Sequence, residues 1–183
     1  MDLNKLRDQA YKSACEHGFH DETYSLSHYL CLIISELMEA VEADRKRDHA
    51  DMEAYEKYEG RITFEENFVR HIKNTVEDEL ADACIRILDM FGAVKWYSRV
   101  DLNKAIKEFD YEPKDFFNHY SLFTEKIYSL VFYMNISQFP YHMVRILKQI
   151  FILAGSLGID IERHIELKMQ YNQSRPRLHG KKY

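Results

Sequence analysis

An all-α helical bundle is the fold this sequence predicts, and three observations predict it. Only 6 Gly and 3 Pro occur in 183 residues, too few to punctuate the many short elements of a β fold. The longest stretches run without turn signals, and apolar residues recur within them at steps of three and four. The 46% hydrophobic and 30% charged fractions are those of a globular chain long enough to bury a core. No linker, repeat or low-complexity tract divides it, so one domain over 1–183 is expected.

Leu3, Leu6, Ala10 and Ala14 mark a first helix over 2–17, stopped by Gly18. Ser25 or Ser27 caps a second, which runs through HYLCLIISELMEAVEADRK to about residue 47. Its middle is apolar nearly all round, which predicts a central position. Residues 48–67 are strongly charged and punctuated by Gly60 and Thr63, an exposed and partly helical connection. A third long helix begins near Phe68 or Thr75 and continues through VEDELADACIRILDMFGAVKW. There Ile85, Leu88 and Met90 pack, while Glu79, Asp82, Arg86 and Asp89 recur along another face. Helices near 102–109 and 121–134 follow, with breaks at Pro113 and Pro140. The last pair is MVRILKQIFILAG, ending at Gly155, and a helix capped by Asp160 that Pro176 ends.

A net charge of −5 leaves no electrostatic footprint for long nucleic acid. Locally the picture reverses: after Glu166 no acid occurs, whereas Lys168, Arg175, Arg177, Lys181 and Lys182 do, forming a basic C-terminal segment. Cys15, Cys31 and Cys84 are odd in number and widely spaced, which reads as reduced thiols. The amphipathic N-terminus lacks the apolar run of a signal peptide and no segment approaches a membrane span, so the expected location is cytoplasmic.

Two acidic motifs carry the chemistry: Glu36-Leu37-Met38-Glu39 and Glu79-Leu80-Ala81-Asp82. Residues i and i+3 share a helix face, so each motif aims two carboxylates one way from an otherwise apolar stretch. Burying an unpaired carboxylate is costly and clustering like charges costs more, so the pattern points to a cation. Oxygen ligands favour Mg²⁺, with Mn²⁺ as its substitute. Glu53, Glu56 and Glu59 repeat the spacing in polar surroundings and read as a solvated face. Di-iron bundles need Glu-x-x-His elements, and no Glu here has a His three residues later. No glycine-rich phosphate loop is present. Arg86 can pair with Asp82 or orient a ligand carboxylate. Trp96, Phe19 and Tyr24 are candidate stacking surfaces.

In the local forms SELMEA and EDELADACIRILDM, the two motifs resemble the signature of the MazG-like branch of the all-α NTP pyrophosphohydrolase superfamily. The ending GIDIERHIELKMQYNQSRPRLHGKKY is similar to the end of many single-domain MazG-like proteins. The connection from Ala40 to Asp78 is longer than in compact members, and residues 93–145 resemble nothing in the family, an extra helical insertion. The resemblance implies hydrolysis of a nucleoside triphosphate between the α and β phosphates, giving a monophosphate and pyrophosphate. It implies Mg²⁺ on Glu36, Glu39, Glu79 and Asp82, with Glu36 or Glu39 activating water. Lys168, Asn172 and Arg175, spaced four and three apart, with His179 and Lys181, would meet the substrate. A homodimer or homotetramer is implied as well. Narrower relatives, a dUTP or dCTP pyrophosphatase or a phosphoribosyl-ATP pyrophosphohydrolase, remain alternatives, as does a non-catalytic helical interaction protein.

Overall fold

The computed structural model describes residues 1–108, 122–136, 140–180 and 182. Among them the chain is all-helical: α1 (Leu3–Glu16), α2 (Leu26–Lys46), α3 (Met52–Tyr58), α4 (Phe64–His71), α5 (Val76–Ala93), α6 (Leu102–Glu108), α7 (Phe123–Ile136), α8 (Pro140–Ser156) and α9 (Ile161–Gln173). A 3₁₀ turn, Arg177–Gly180, follows. No described helix is long and apolar enough to cross a membrane.

Helix α5 is the axis of the bundle, packed most extensively against α2, α1 and α9 and also against α8. Of the two starts the sequence allowed, the chain uses Thr75, whose Oγ1 accepts from Asp78 N at 3.3 Å. Glu77, Asp78 and Glu79 in the first turn suit the positive end of the helix dipole. Leu80, Ala81, Ala83, Cys84, Ile87, Leu88, Met90 and Phe91 then lie fully buried, covering most of the circumference, as a core helix requires. Across the α2 interface, Leu30, Ile33, Leu37 and Ala40 complete the main core. Ser25 occupies the N-cap of α2 without a side-chain bond, and Arg47 closes the helix in the left-handed region at φ 62°. Asp2 caps α1 by accepting from Lys5 N at 3.1 Å.

The charged connection after α2 is more ordered than its composition suggests. Helices α3 and α4 close a small second core of Tyr55, Phe68 and Ile72 on Leu167 of α9. Asn67 Nδ2 donates to Tyr55 O at 2.8 Å and Asp51 N to His71 O at 2.9 Å. Three apolar anchors spread over two short helices are too sparse to register as a period. Pro140, expected as a break, is the first residue of α8, where its missing N–H costs nothing. Pro113 lies outside the described residues. The described part of 93–145 contributes Leu102, Ile127, Leu130, Met134, Met143 and Val144 to the main core, so it closes the bundle.

Gly92 sits where α1 crosses α5, and a Cβ there would come within 2.3 Å of Tyr11 Cβ. An exposed helical Gly→Ala exchange normally stabilises. Gly92→Ala is therefore expected to destabilise, by about 1–3 kcal/mol from overpacking, read as a lowered urea midpoint; an unchanged or raised midpoint would contradict the close crossing.

Candidate functional site

The α2–α5 contact brings the two acidic motifs together. Glu36, Glu39 and Glu79 each place one carboxylate oxygen within 4.8 Å of the others'. Glu36 and Glu79 are buried and Glu39 is exposed, so the cluster opens to solvent on one side. Arg86 Nε donates to Glu36 Oε1 at 3.0 Å, and Ser35 Oγ donates to Glu39 Oε1 at 3.3 Å. Glu79 has no hydrogen-bond or ion-pair partner among the described residues although it is only 4% exposed. Burial pushes its carboxyl up to about 8; nearby Lys168 opposes the rise, and Asp78, Asp82 and Glu36 add to it. A converging oxygen set with one unpartnered buried carboxylate fits a hard divalent cation such as Mg²⁺ or Mn²⁺.

Asp82 is drawn elsewhere. Its Oδ2 lies 2.8 Å from Lys168 Nζ, which also donates to Asp78 Oδ1 and Oδ2 at 2.8 Å each. Asn74 N donates to Asp78 Oδ2 at 2.9 Å. Burial disfavours the Lys168 ammonium, but Asp82 and Asp78 outweigh it and hold the group above its ordinary range. Lys168, expected to reach a substrate from the basic tail, is thus a buried counter-ion, because α9 packs along α5 on the side carrying both aspartates. Arg86, free by spacing to pair with Asp82, hydrogen-bonds Glu36 instead.

Beside the cluster lies a cavity of about 50 Å³ between α1, α5, α9 and the C-terminal turn. Asp82, Arg86, Asp89, Asn172, Arg175 and His179 line it. The predicted residues Asn172, Arg175 and His179 therefore do meet in one place; Lys181 lies outside the described residues. The His179 ring is edge-on to Phe19 and His17 at 5.0 and 5.1 Å. Burial, with Arg175 beside it, pushes the His179 imidazole down to about 3, so it is neutral. The turn is tied by Leu178 N to His17 O at 2.8 Å, Arg175 Nη2 to His179 O at 3.1 Å and an Arg177–Asp21 ion pair. Leu178 and His179 both have φ 51°, a conformation that costs non-glycine residues energy.

The sequence reading missed Asp78 and the group around Asp89. His20 Nε2 lies 2.7 Å from Asp89 Oδ1, and Tyr29 Oη lies 3.4 Å from His20 Nδ1. Asp89 was legible as part of the polar face of α5; His20, in a loop, belongs to no period. Of the proposed stacking residues, Phe19 lines the cavity, Tyr24 stacks on His28 at 4.2 Å, and Trp96 is 78% exposed. No protein-family model, curated protein or solved structure matches this chain.

The raised Glu79 carboxyl has a definite pH signature. The unfolded group ionises near 4.5 and the folded one near 8, so the folded state holds the extra proton between these values. Its stability contribution is full below about 4.5 and is lost as the pH rises towards 8. The metal-free protein should melt several degrees lower at pH 8 than at pH 5, and Glu79→Gln should flatten that slope. Added Mg²⁺ should restore the wild-type melting temperature at pH 8 and leave Glu79→Gln unmoved; a Mg²⁺ shift of equal size in both would remove Glu79 from the ion site. Separately, Lys168→Met strands the buried Asp78 and the half-buried Asp82 and is expected to cost about 3–5 kcal/mol. Adding Asp78→Asn and Asp82→Asn should recover most of it in chemical denaturation.

Proposed function

We propose that this chain is a divalent-metal-dependent nucleoside triphosphate pyrophosphohydrolase of the MazG-like type, cleaving between the α and β phosphates. One observation carries the reading: Glu36, Glu39 and Glu79 converge from two facing helices directly beside a cavity lined by arginines. A triphosphate is repelled by three carboxylates unless a cation intervenes. Glu36, Glu39 and Glu79 would hold that ion, which when bound neutralises phosphate oxygens and the charge developing on the leaving pyrophosphate.

The protein groups divide the remaining work. Arg86, fixed on Glu36, and Arg175, on the cavity wall, supply positive charge for phosphate oxygens. Glu39, the exposed carboxylate of the three, is positioned to take the proton of the attacking water as the oxygen–phosphorus bond forms. Glu36 is less suited, being buried and held by Arg86. Asp82 enters through Lys168, whose ammonium lies 2.8 Å from its Oδ2, one turn from Glu79. About 50 Å³ holds a few waters, whereas small-molecule sites run to roughly 300–1,000 Å³. The strained turn carrying His179 therefore has to move outward for a nucleotide to enter.

Incubation with a panel of NTPs and dNTPs in Mg²⁺ should yield monophosphate and pyrophosphate. Diphosphate plus phosphate would refute the cleavage position, and no turnover of any nucleotide would return weight to a helical interaction protein. Glu39→Gln should lower kcat by about 10²–10⁴-fold, the range of a lost general base, with the helical content unchanged. Hydrogen exchange at Leu178–Gly180 should rise or fall at least severalfold when a non-hydrolysable triphosphate is added; an unchanged turn would contradict the displacement.

A further inference from the structure

The Tyr29–His20–Asp89 chain takes no part in holding the ion or the phosphates. Asp89 follows Asp82 by seven residues, two turns along the same face of α5, a rise of about 10 Å. Both line the same cavity, and Asp89 also borders the aromatic recess of Phe19, Tyr24, His28 and Tyr29. The helix thus carries its acidic cluster near one end of the cavity and a separate carboxylate near the other, the separation a phosphorylated sugar would bridge.

Hydrogen-bond bookkeeping gives that far end a definite polarity. In the tautomer that satisfies both neighbours, Tyr29 Oη donates to His20 Nδ1 and His20 Nε2–H donates to Asp89 Oδ1. Asp89 Oδ2 then has no partner among the described residues, and the Asp89 side chain keeps 11% of its surface exposed. Asn172 Oδ1, on the opposite wall, is unpartnered too. Of the nearby arginines, Arg86 Nε is held by the Glu36 carboxylate and Arg175 Nη2 by the His179 carbonyl. His179 Nε2, also unpartnered, takes either role according to its tautomer. Asp89 Oδ2 thus offers a ligand a carboxylate acceptor at this end of the cavity. Phe19, with the Arg86 guanidinium 5.7 Å from its ring centre, supplies an apolar wall beside it.

We infer that Asp89, positioned by His20 and Tyr29, reads the base of the nucleotide and selects bases presenting an exocyclic amine over those presenting a carbonyl there. The inference rests on the pyrophosphohydrolase reading of the site and adds a substrate class to it. Cytosine and uracil are the sharpest pair, alike in size and differing at the ring substituent, amine against carbonyl. A carbonyl facing the Asp89 Oδ2 acceptor leaves two acceptors opposed, which discriminates far more strongly than a lost apolar contact.

The test is equilibrium binding of CMP and UMP to the full chain in Mg²⁺ by titration calorimetry, alongside CTP and UTP turnover. CMP should bind about 10–100-fold tighter than UMP, the range of one charge-assisted hydrogen bond. Asp89→Leu should bring the ratio near one. Should that variant fail to fold, Asp89→Asn, which keeps the shape and loses the charge, should lower the ratio severalfold. Tyr29→Phe, acting only through His20, should reduce the ratio with little change in UMP affinity, a pattern that general loosening of the fold would not produce. Equal CMP and UMP affinities, binding of neither, or a preference surviving in the Asp89 variants would overturn the assignment. Hydrolysis of CTP and UTP at equal kcat/KM would overturn it while sparing the pyrophosphohydrolase reading. A CMP preference without any hydrolysis would do the reverse.

Discussion

Helix α5 carries five acids, Glu77, Asp78, Glu79, Asp82 and Asp89, through the middle of an apolar bundle, and the cost of placing carboxylates there governs much of the surrounding structure. Each charge needs compensation where water is scarce. Glu77 accepts from Ala50 N at 2.9 Å and faces His49 Nδ1 at 3.0 Å. Asp78 and Asp82 share Lys168, and Asp89 has His20. These contacts reach α5 from the connection after α2, from α9 and from the loop after α1, so electrostatic compensation and the packing of three neighbouring segments are one requirement. Of the five, Glu79 alone has no hydrogen-bond or ion-pair partner among the described residues, beside the carboxylates of α2.

That asymmetry links stability to function. The paired acids fasten the bundle, and the unpaired one keeps a proton at neutral pH unless a cation replaces it. On the proposed reading, an ion held by Glu36, Glu39 and Glu79 would displace the Glu79 proton, and its binding would add to the stability of the fold. Lys168 takes its place in the same scheme. By neutralising Asp78 and Asp82 it confines the uncompensated charge to one side of α5, the side facing α2. The turn at Leu178 and His179 also carries a cost, since both residues are held at a φ of 51° beside the cavity.

Most of the helical architecture was legible in the sequence because helix periodicity, caps and breakers are local. Thr75 and Asp160 cap where expected and Gly18 follows α1. The α3–α4 core escaped notice because Tyr55, Phe68 and Ile72 gain their burial from Leu167, almost a hundred residues away. Pro140 does fall at a helix boundary, as the first residue of α8, because proline begins a helix at its first position as readily as it ends one from within.

For the site, the sequence by itself determined which carboxylates could act together: one-turn spacing in apolar surroundings singles out Glu36, Glu39, Glu79 and Asp82 without knowledge of any contact. Tertiary structure decided how they are shared. Three converge because α2 packs on α5, whereas Asp82 turns to an ammonium that α9 delivers. Lys168 read as a substrate-facing residue of the basic segment since burial is a property of what packs against a residue, and no local pattern records it. The Tyr29–His20–Asp89 chain was invisible for the same reason: hydrogen bonds between a loop, α2 and α5 depend on distances in space that sequence spacing does not encode.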